Sequence, residues 1–244
     1  MKLENKVALI TGASKGIGKA VAEGFAKEGA NLYLVAHKDK KGLNEVMESC
    51  KSKGTTVNGG LFDVGNYTEV ERLMEEVEKV NGGVDILVNN AGIIKPTPFL
   101  EITPQQWDAV IKTHLYGTFY CTTETVRRFM KDKKSGKIIN LCAPAAERGS
   151  IGVADYASAK GGIYSFTKNA AKELLEDNVQ VNAILPVAKT RMTDSLSEFY
   201  GDEGERLIHL SDPTVLVPSF VFFASEDSDY VTGQILTADG GMMC

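Results

Sequence analysis

The sequence is short of every feature that would tie it to a membrane, an oxidising compartment or a polyanion. No apolar run approaches the ~20 residues that a membrane span requires, so no membrane partner is expected. The opening residues, Met1-Lys2-Leu3-Glu4-Asn5-Lys6, hold neither the apolar core nor the small-residue cleavage site of a signal peptide. Cysteine is scarce and scattered. Cys50, Cys121, Cys142 and Cys244 form no CxxC pair, which argues against a disulfide framework and against a zinc site. Positive charge is not in excess: 27 Lys plus Arg face 32 Asp plus Glu, a formal charge of −5, so no nucleic-acid partner is expected. Repeats, low-complexity tracts and linkers are missing too. What remains is 244 residues, 43% apolar and 24% charged, a globular composition that one α/β domain can fill. The expectation is a cytoplasmic protein, 1–244 forming a single domain, with no metal.

What is present is an alternation. Seven short apolar runs, at 6–11, 31–36, 56–62, 85–89, 137–142, 180–185 and 234–238, are mostly continuous, as parallel strands covered on both faces require. Helix-length segments separate them. Val70, Leu73, Val77 and Val80 make one stripe at helical spacing. Trp107, Val110, Ile111, Leu115 and Phe119 make another, behind a start signal at Thr103-Pro104. This order predicts an α/β fold, a doubly wound parallel sheet of about seven strands with right-handed crossovers. The stretch 193–210 is the one long polar insertion, either a lid over a site or an inert excursion.

Val7-Ala8-Leu9-Ile10 leads into Thr11-Gly12-Ala13-Ser14-Lys15-Gly16-Ile17-Gly18, after which Ile17, Val21 and Phe25 share a helix face. Glycines between a first strand and a first helix let the backbone bring its N–H groups and the helix N-terminus against a pyrophosphate. Gly12, Ser14, Lys15, Gly16, Ile17 and Gly18 are therefore candidate nucleotide-binding residues. This loop, Asn89-Asn90-Ala91-Gly92 and Tyr156-Ala157-Ser158-Ala159-Lys160, in this order and at these separations, resemble the short-chain dehydrogenase/reductase family from about Leu3 to Gly241. The resemblance implies a single Rossmann-type domain, a nicotinamide cofactor, hydride transfer at a carbonyl or alcohol carbon, and dimers or tetramers. It also implies that Asp63 and Val64 border the adenine, while Asn90, Ala91 and Gly92 line the cofactor channel.

The end of the second strand bears on which nicotinamide cofactor binds. NAD calls for a carboxylate there, on the ribose hydroxyls, and NADP for cations on the 2′-phosphate. In Asn31-Leu32-Tyr33-Leu34-Val35-Ala36-His37-Lys38 the acid's position holds Ala36. Lys38, His37 and Lys15 surround it, which favours NADP. Asp39 lies just beyond the strand.

Tyr156 and Lys160 are four apart, so on a helix they share a face. A phenol of ordinary pKa near ~10 is a poor acid–base catalyst unless a cation stabilises its phenolate, which Lys160 is placed to do. In the family such a lysine also holds the nicotinamide ribose. Two family positions are changed. Counting thirteen back from Tyr156 reaches Ala143, where the family has a serine that binds the substrate oxygen. The asparagine of the preceding long helix aligns with His114, which reads either as a satisfied core histidine or as a proton relay towards Lys160. The missing hydroxyl leaves three readings open: another donor (Cys142, Ser150, His114, a water or a group from 193–210), a substrate that needs less polarisation, or a silent subunit beside an active paralogue. Cys142 is a weak donor, and strand alternation would turn it away from Ala143.

After the sixth strand, Pro186-Val187 stands where the family commonly has Pro-Gly, and the stretch to Thr190-Arg191-Met192 is one residue short. Pro186, Val187 and Thr190 are expected beside the cofactor. The segment resembles the branch with (3R)-hydroxyacyl-CoA dehydrogenases and 3-oxoacyl-thioester reductases, so Arg191 is expected to meet a phosphate or carboxylate of the substrate. The sequence thus points to an NADP-preferring oxidoreductase on a 3-oxo or 3-hydroxyacyl thioester of CoA or acyl carrier protein. It would act as a homo-tetramer or dimer, contacting partners through the helices near Thr103 and Asp155, with a hetero-oligomer alongside a paralogue as the alternative.

Overall fold

In the computed structural model, which describes residues 1–201 and 210–242, the apolar runs become β1 (Val7–Thr11), β2 (Asn31–Ala36), β3 (Val57–Leu61), β4 (Ile86–Asn89), β5 (Gly136–Leu141), β6 (Val179–Pro186) and β7 (Ile235–Ala238). Each lies within one residue of its expected ends. All pair in parallel in the order β3-β2-β1-β4-β5-β6-β7. The order reverses between β1 and β4, and such a switch point opens a crevice at the carboxyl ends of the two strands.

Nine α-helices are described: α1 (Gly16–Lys27), α2 (Lys40–Lys51), α3 (Tyr67–Asn81), α4 (Pro104–Ile111), α5 (Gly117–Thr125), α6 (Ala145–Arg148), α7 (Ala154–Glu173), α8 (Arg191–Tyr200) and α9 (Val217–Ala224). Alternation along β1 feeds both faces of the sheet. Ala8 and Ile10 join Phe25, Leu32, Leu34 and Phe220 on one side, while Leu9 joins Tyr33, Leu73, Met74 and Leu87 on the other. No helix among the described residues is long and apolar enough to cross a membrane.

Two expectations need correcting. The stripe begun at Thr103-Pro104 is not evenly buried: Val110 is inside, but Trp107 and Phe119 are 39% and 46% exposed. The cause is a π-helical turn over Lys112–Tyr116 between α4 and α5, which shifts the register of everything after it. Val80, at the end of the α3 stripe, is likewise exposed. The second correction concerns 193–210, whose first part is not loop. Thr190 accepts a hydrogen bond from the Thr193 amide while the Thr193 hydroxyl accepts one from the Thr190 amide, a reciprocal cap that starts α8. Residues 202–209 of that expected lid lie outside the described residues.

Candidate active site

The crevice between β1 and β4 is built by close approach. A Cβ on Gly12 would stand 2.8 Å from the Ala91 Cα, so only glycine lets the two strand ends touch. Asn90 Nδ2 donates to the carbonyls of Thr11 (2.8 Å) and Gly12 (3.0 Å). In return, the Thr11 hydroxyl accepts from the amides of Asn90 and Ala91, both at 3.0 Å. Gly16, at φ +56°, turns the chain into α1, whose N-terminus carries no side-chain cap. Its first amides are thus left for an anion, as a pyrophosphate cradle requires.

From here a cavity of about 1090 Å³ runs along the strand ends. Every site residue expected from the sequence lines it except Gly18, which lies beneath the loop with no room for a side chain beside Asn90 Nδ2. At one end, β2 finishes in buried Ala36, followed by exposed His37 and Lys38. His37 Nε2 is 3.9 Å from Asp63 Oδ2, and Asp63 Oδ1 accepts the Gly65 amide at 2.9 Å.

At the other end, α7 presents Tyr156 and Lys160 on one face. Asp155 fixes its first turn by accepting the Tyr156 amide at 2.7 Å, and Gln106 of α4 donates to the same carboxylate at 2.9 Å. The Lys160 side chain is 4% exposed; its Nζ donates to the Leu141 carbonyl at 2.6 Å and lies 5.6 Å from the Tyr156 ring centroid. Burial lowers the Lys160 amine to about 8. Burial also pushes the Tyr156 phenol up from its ordinary value, with Cys142 adding to the rise. The expected lowering of the phenol by its lysine is therefore outweighed by desolvation, because the ammonium sits beside the ring and spends one bond on a carbonyl.

Geometry and motifs together point one way, and the relatives agree. A family model described as short chain dehydrogenase matches residues 6–201. The chain belongs to the short-chain dehydrogenase family. It is 36% identical over 242 residues to the 3-oxoacyl-acyl-carrier-protein reductase FabG of Staphylococcus epidermidis, covering 98% of this chain and 99% of the relative. The FabG of Thermotoga maritima is 35% identical over 247 residues, all of both chains. A solved structure from Sinorhizobium meliloti, assigned as a short-chain alcohol dehydrogenase, superposes with a TM-score of 0.92 at 31% identity, covering 99% of this chain and 98% of its own. The protein is thus an oxidoreductase of that family.

His114 of this dehydrogenase is 1% exposed and sits in the π-helical turn. Its Nε2 lies 2.7 Å from the Ile93 carbonyl and 3.0 Å from the Ile93 amide, while Nδ1 has no hydrogen-bond partner among the described residues. Burial, then the charge of Lys160, lowers the imidazole to about 3. A Cβ on Gly92 would collide with that ring, so Gly92 is fixed by its neighbour as well as by the channel.

Ala143 lines the cavity and is buried. Cys142, expected to face away, lines it too and interacts with the charge of Lys160. The alternation argument fails because β5 ends at Leu141, so neither residue belongs to the pleat. Burial holds the Cys142 thiol up at about 11. At the outer wall the Ser150 and Tyr200 hydroxyls lie 2.5 Å apart, Tyr200 donates to the Ile151 carbonyl at 2.9 Å, and Phe199 packs over Gly152. This docking of α8 was missed in the sequence, although the Thr190/Thr193 cap was there to find it. Pro186, Val187 and Thr190 line the cavity as expected. Arg191 lines it as well, but it acts on the Asp39 carboxylate at the β2 end.

Proposed function

We propose that the chain interconverts a 3-oxo and a 3-hydroxy group on an acyl thioester of CoA or acyl carrier protein, using NADP(H) in preference to NAD(H). The observation that carries this reading is that Tyr156 and Lys160 stand on the wall of the same cavity as the glycine loop. Relatives named as 3-oxoacyl-acyl-carrier-protein reductases, matching end to end, support the substrate class. The absence of an acid at Ala36, with His37, Lys38 and Lys15 lining the cavity, supports the phosphorylated cofactor.

The residues fit a dinucleotide: an uncapped α1 N-terminus and a Gly16 turn at φ +56° suit the pyrophosphate. Gly12, Ser14, Gly16 and Ile17 would hold the phosphates, with Asp63 and Val64 at the base. Asn90, Ala91, Gly92, Pro186, Val187 and Thr190 would flank the rest. When bound, the cofactor supplies hydride to, or accepts it from, the substrate carbon. The Tyr156 hydroxyl gives a proton to the substrate oxygen in reduction and takes one in oxidation. Lys160, with an amine at about 8, holds protons near neutrality and lies beside the ring that must be recharged. His114, neutral above about 3, braces the Tyr156 ring. Ala143 offers no donor, so part of the substrate wall is apolar.

Exposed Trp107, Tyr116 and Phe119 near α4 and α5 support assembly into a homo-dimer or tetramer through these helices. The relatives, named as reductases, lend nothing to the silent-subunit alternative. The test is the reduced-cofactor absorbance with a panel of 3-oxo and 3-hydroxyacyl thioesters and both cofactors. Turnover with NADPH is expected, and no turnover with any thioester would sink the reading.

A further inference from the structure

Arg191 opens α8 directly after Thr190, and Thr190 lies across the loop from Gly16, its Cγ2 3.6 Å from where a Cβ on that glycine would stand. The start of α8 therefore closes over the phosphate loop rather than over Tyr156. Asp39 comes from the facing wall, where its Oδ1 caps α2 by accepting the Gly42 amide at 3.0 Å. Its carboxyl is held below the usual range, first by that amide, then by the Ser14 hydroxyl and the charges of Lys15 and Arg191. All four side chains line the cavity. Two cations from separate elements thus converge on one carboxylate, close to the end of β2 where Ala36 leaves the ribose position without an acid.

We propose that Arg191 is a specificity residue for the ribose 2′-phosphate of the cofactor, with Asp39 as its resident counter-ion. Asp39 keeps the guanidinium and Lys15 over the adenosine end of the cleft until a phosphate replaces the carboxylate as their partner. A guanidinium fork pairs with phosphate at two points, so the exchange favours the phosphate. The assignment moves Arg191 from the substrate to the cofactor and rests on the NADP reading above.

The test uses ligands without nicotinamide, so no turnover is involved. Isothermal titration compares adenosine 2′,5′-bisphosphate with 5′-AMP on the full chain. The wild type is expected to prefer the bisphosphate. Arg191→Gln should weaken the bisphosphate about tenfold and leave 5′-AMP within about twofold, the loss of one charge-assisted pair. Asp39→Asn keeps a capping side chain and should tighten the bisphosphate, because the cations lose their competitor. Arg191 is exposed, so its replacement leaves the core intact. If Arg191→Gln weakens both ligands equally, or neither, the 2′-phosphate assignment is overturned while the NADP reading stands. If the wild type shows no preference, the NADP reading falls and this inference with it.

Discussion

The imidazole of His114 stands edge-on to the phenol of Tyr156, ring centroids 5.1 Å apart and planes at 87°. This places a neutral, immobile ring behind the residue proposed to move the proton. A single atom, Nε2, faces both the amide and the carbonyl of Ile93. At 2.7 Å from the carbonyl that nitrogen must carry the proton, which leaves the Ile93 amide poorly served and Nδ1 an acceptor without a donor among the described residues.

An asparagine amide has both a donor and an acceptor to offer Ile93, so His114→Asn is expected to keep the fold and most of the activity. His114→Ala removes the bond and the ring support together. It should destabilise by about 1–3 kcal/mol and lower kcat more than it raises KM for the cofactor. Thermal unfolding and steady-state kinetics check both. Equal kcat in His114→Ala and wild type would remove the positioning role.

Lys160 is buried with its pKa lowered to about 8. The unfolded chain binds this proton up to ~10.4, the folded chain only to about 8. Between those values the unfolded state holds more protons, so stability rises with pH through this window. Below about 8 the full cost of a buried ammonium is present. Lys160→Met should therefore raise the unfolding free energy at pH 7, by about 1–3 kcal/mol, and flatten its dependence above pH 8, while abolishing turnover. Denaturant titrations at pH 7 and pH 10 give the comparison. A Lys160→Met variant less stable than wild type at pH 7 would contradict it.

Ala143 borders the cavity without a polar atom to offer. Removing an oxyanion donor costs about 10²–10³ in rate where one is used, so Ala143→Ser is expected to raise kcat, by tenfold or more, with little change in cofactor affinity. The reading is made from single-turnover rates on the best thioester of the panel. A fall in rate would mean that the chamber is shaped around the methyl group.

The sheet was legible because each strand is a short continuous apolar run with an abrupt end, and parallel order follows from the intervening helices. The glycine loop and the Tyr156–Lys160 spacing were legible because backbone turns and helix faces are local properties. What escaped was non-local. The π-helical turn at Lys112–Tyr116 leaves no periodicity of its own, and it moved Trp107 and Phe119 outward. The acidity of Tyr156 depends on how deeply the cavity wall is buried, which no spacing reveals. Arg191 was assigned to the substrate because its direction is set by the capped start of α8, and the polar appearance of 193–210 hid that helix.

The lock between Asn90 and the Thr11–Gly12 turn joins residues 78 and 79 positions apart. The nucleotide cradle is therefore a late product of biosynthesis. A nascent chain that has exposed only β1, α1 and β2 has the glycines but lacks the clamp that shapes them. Affinity for the dinucleotide should arrive abruptly once β4 docks, making ligand capture a reporter of sheet closure rather than of local loop formation.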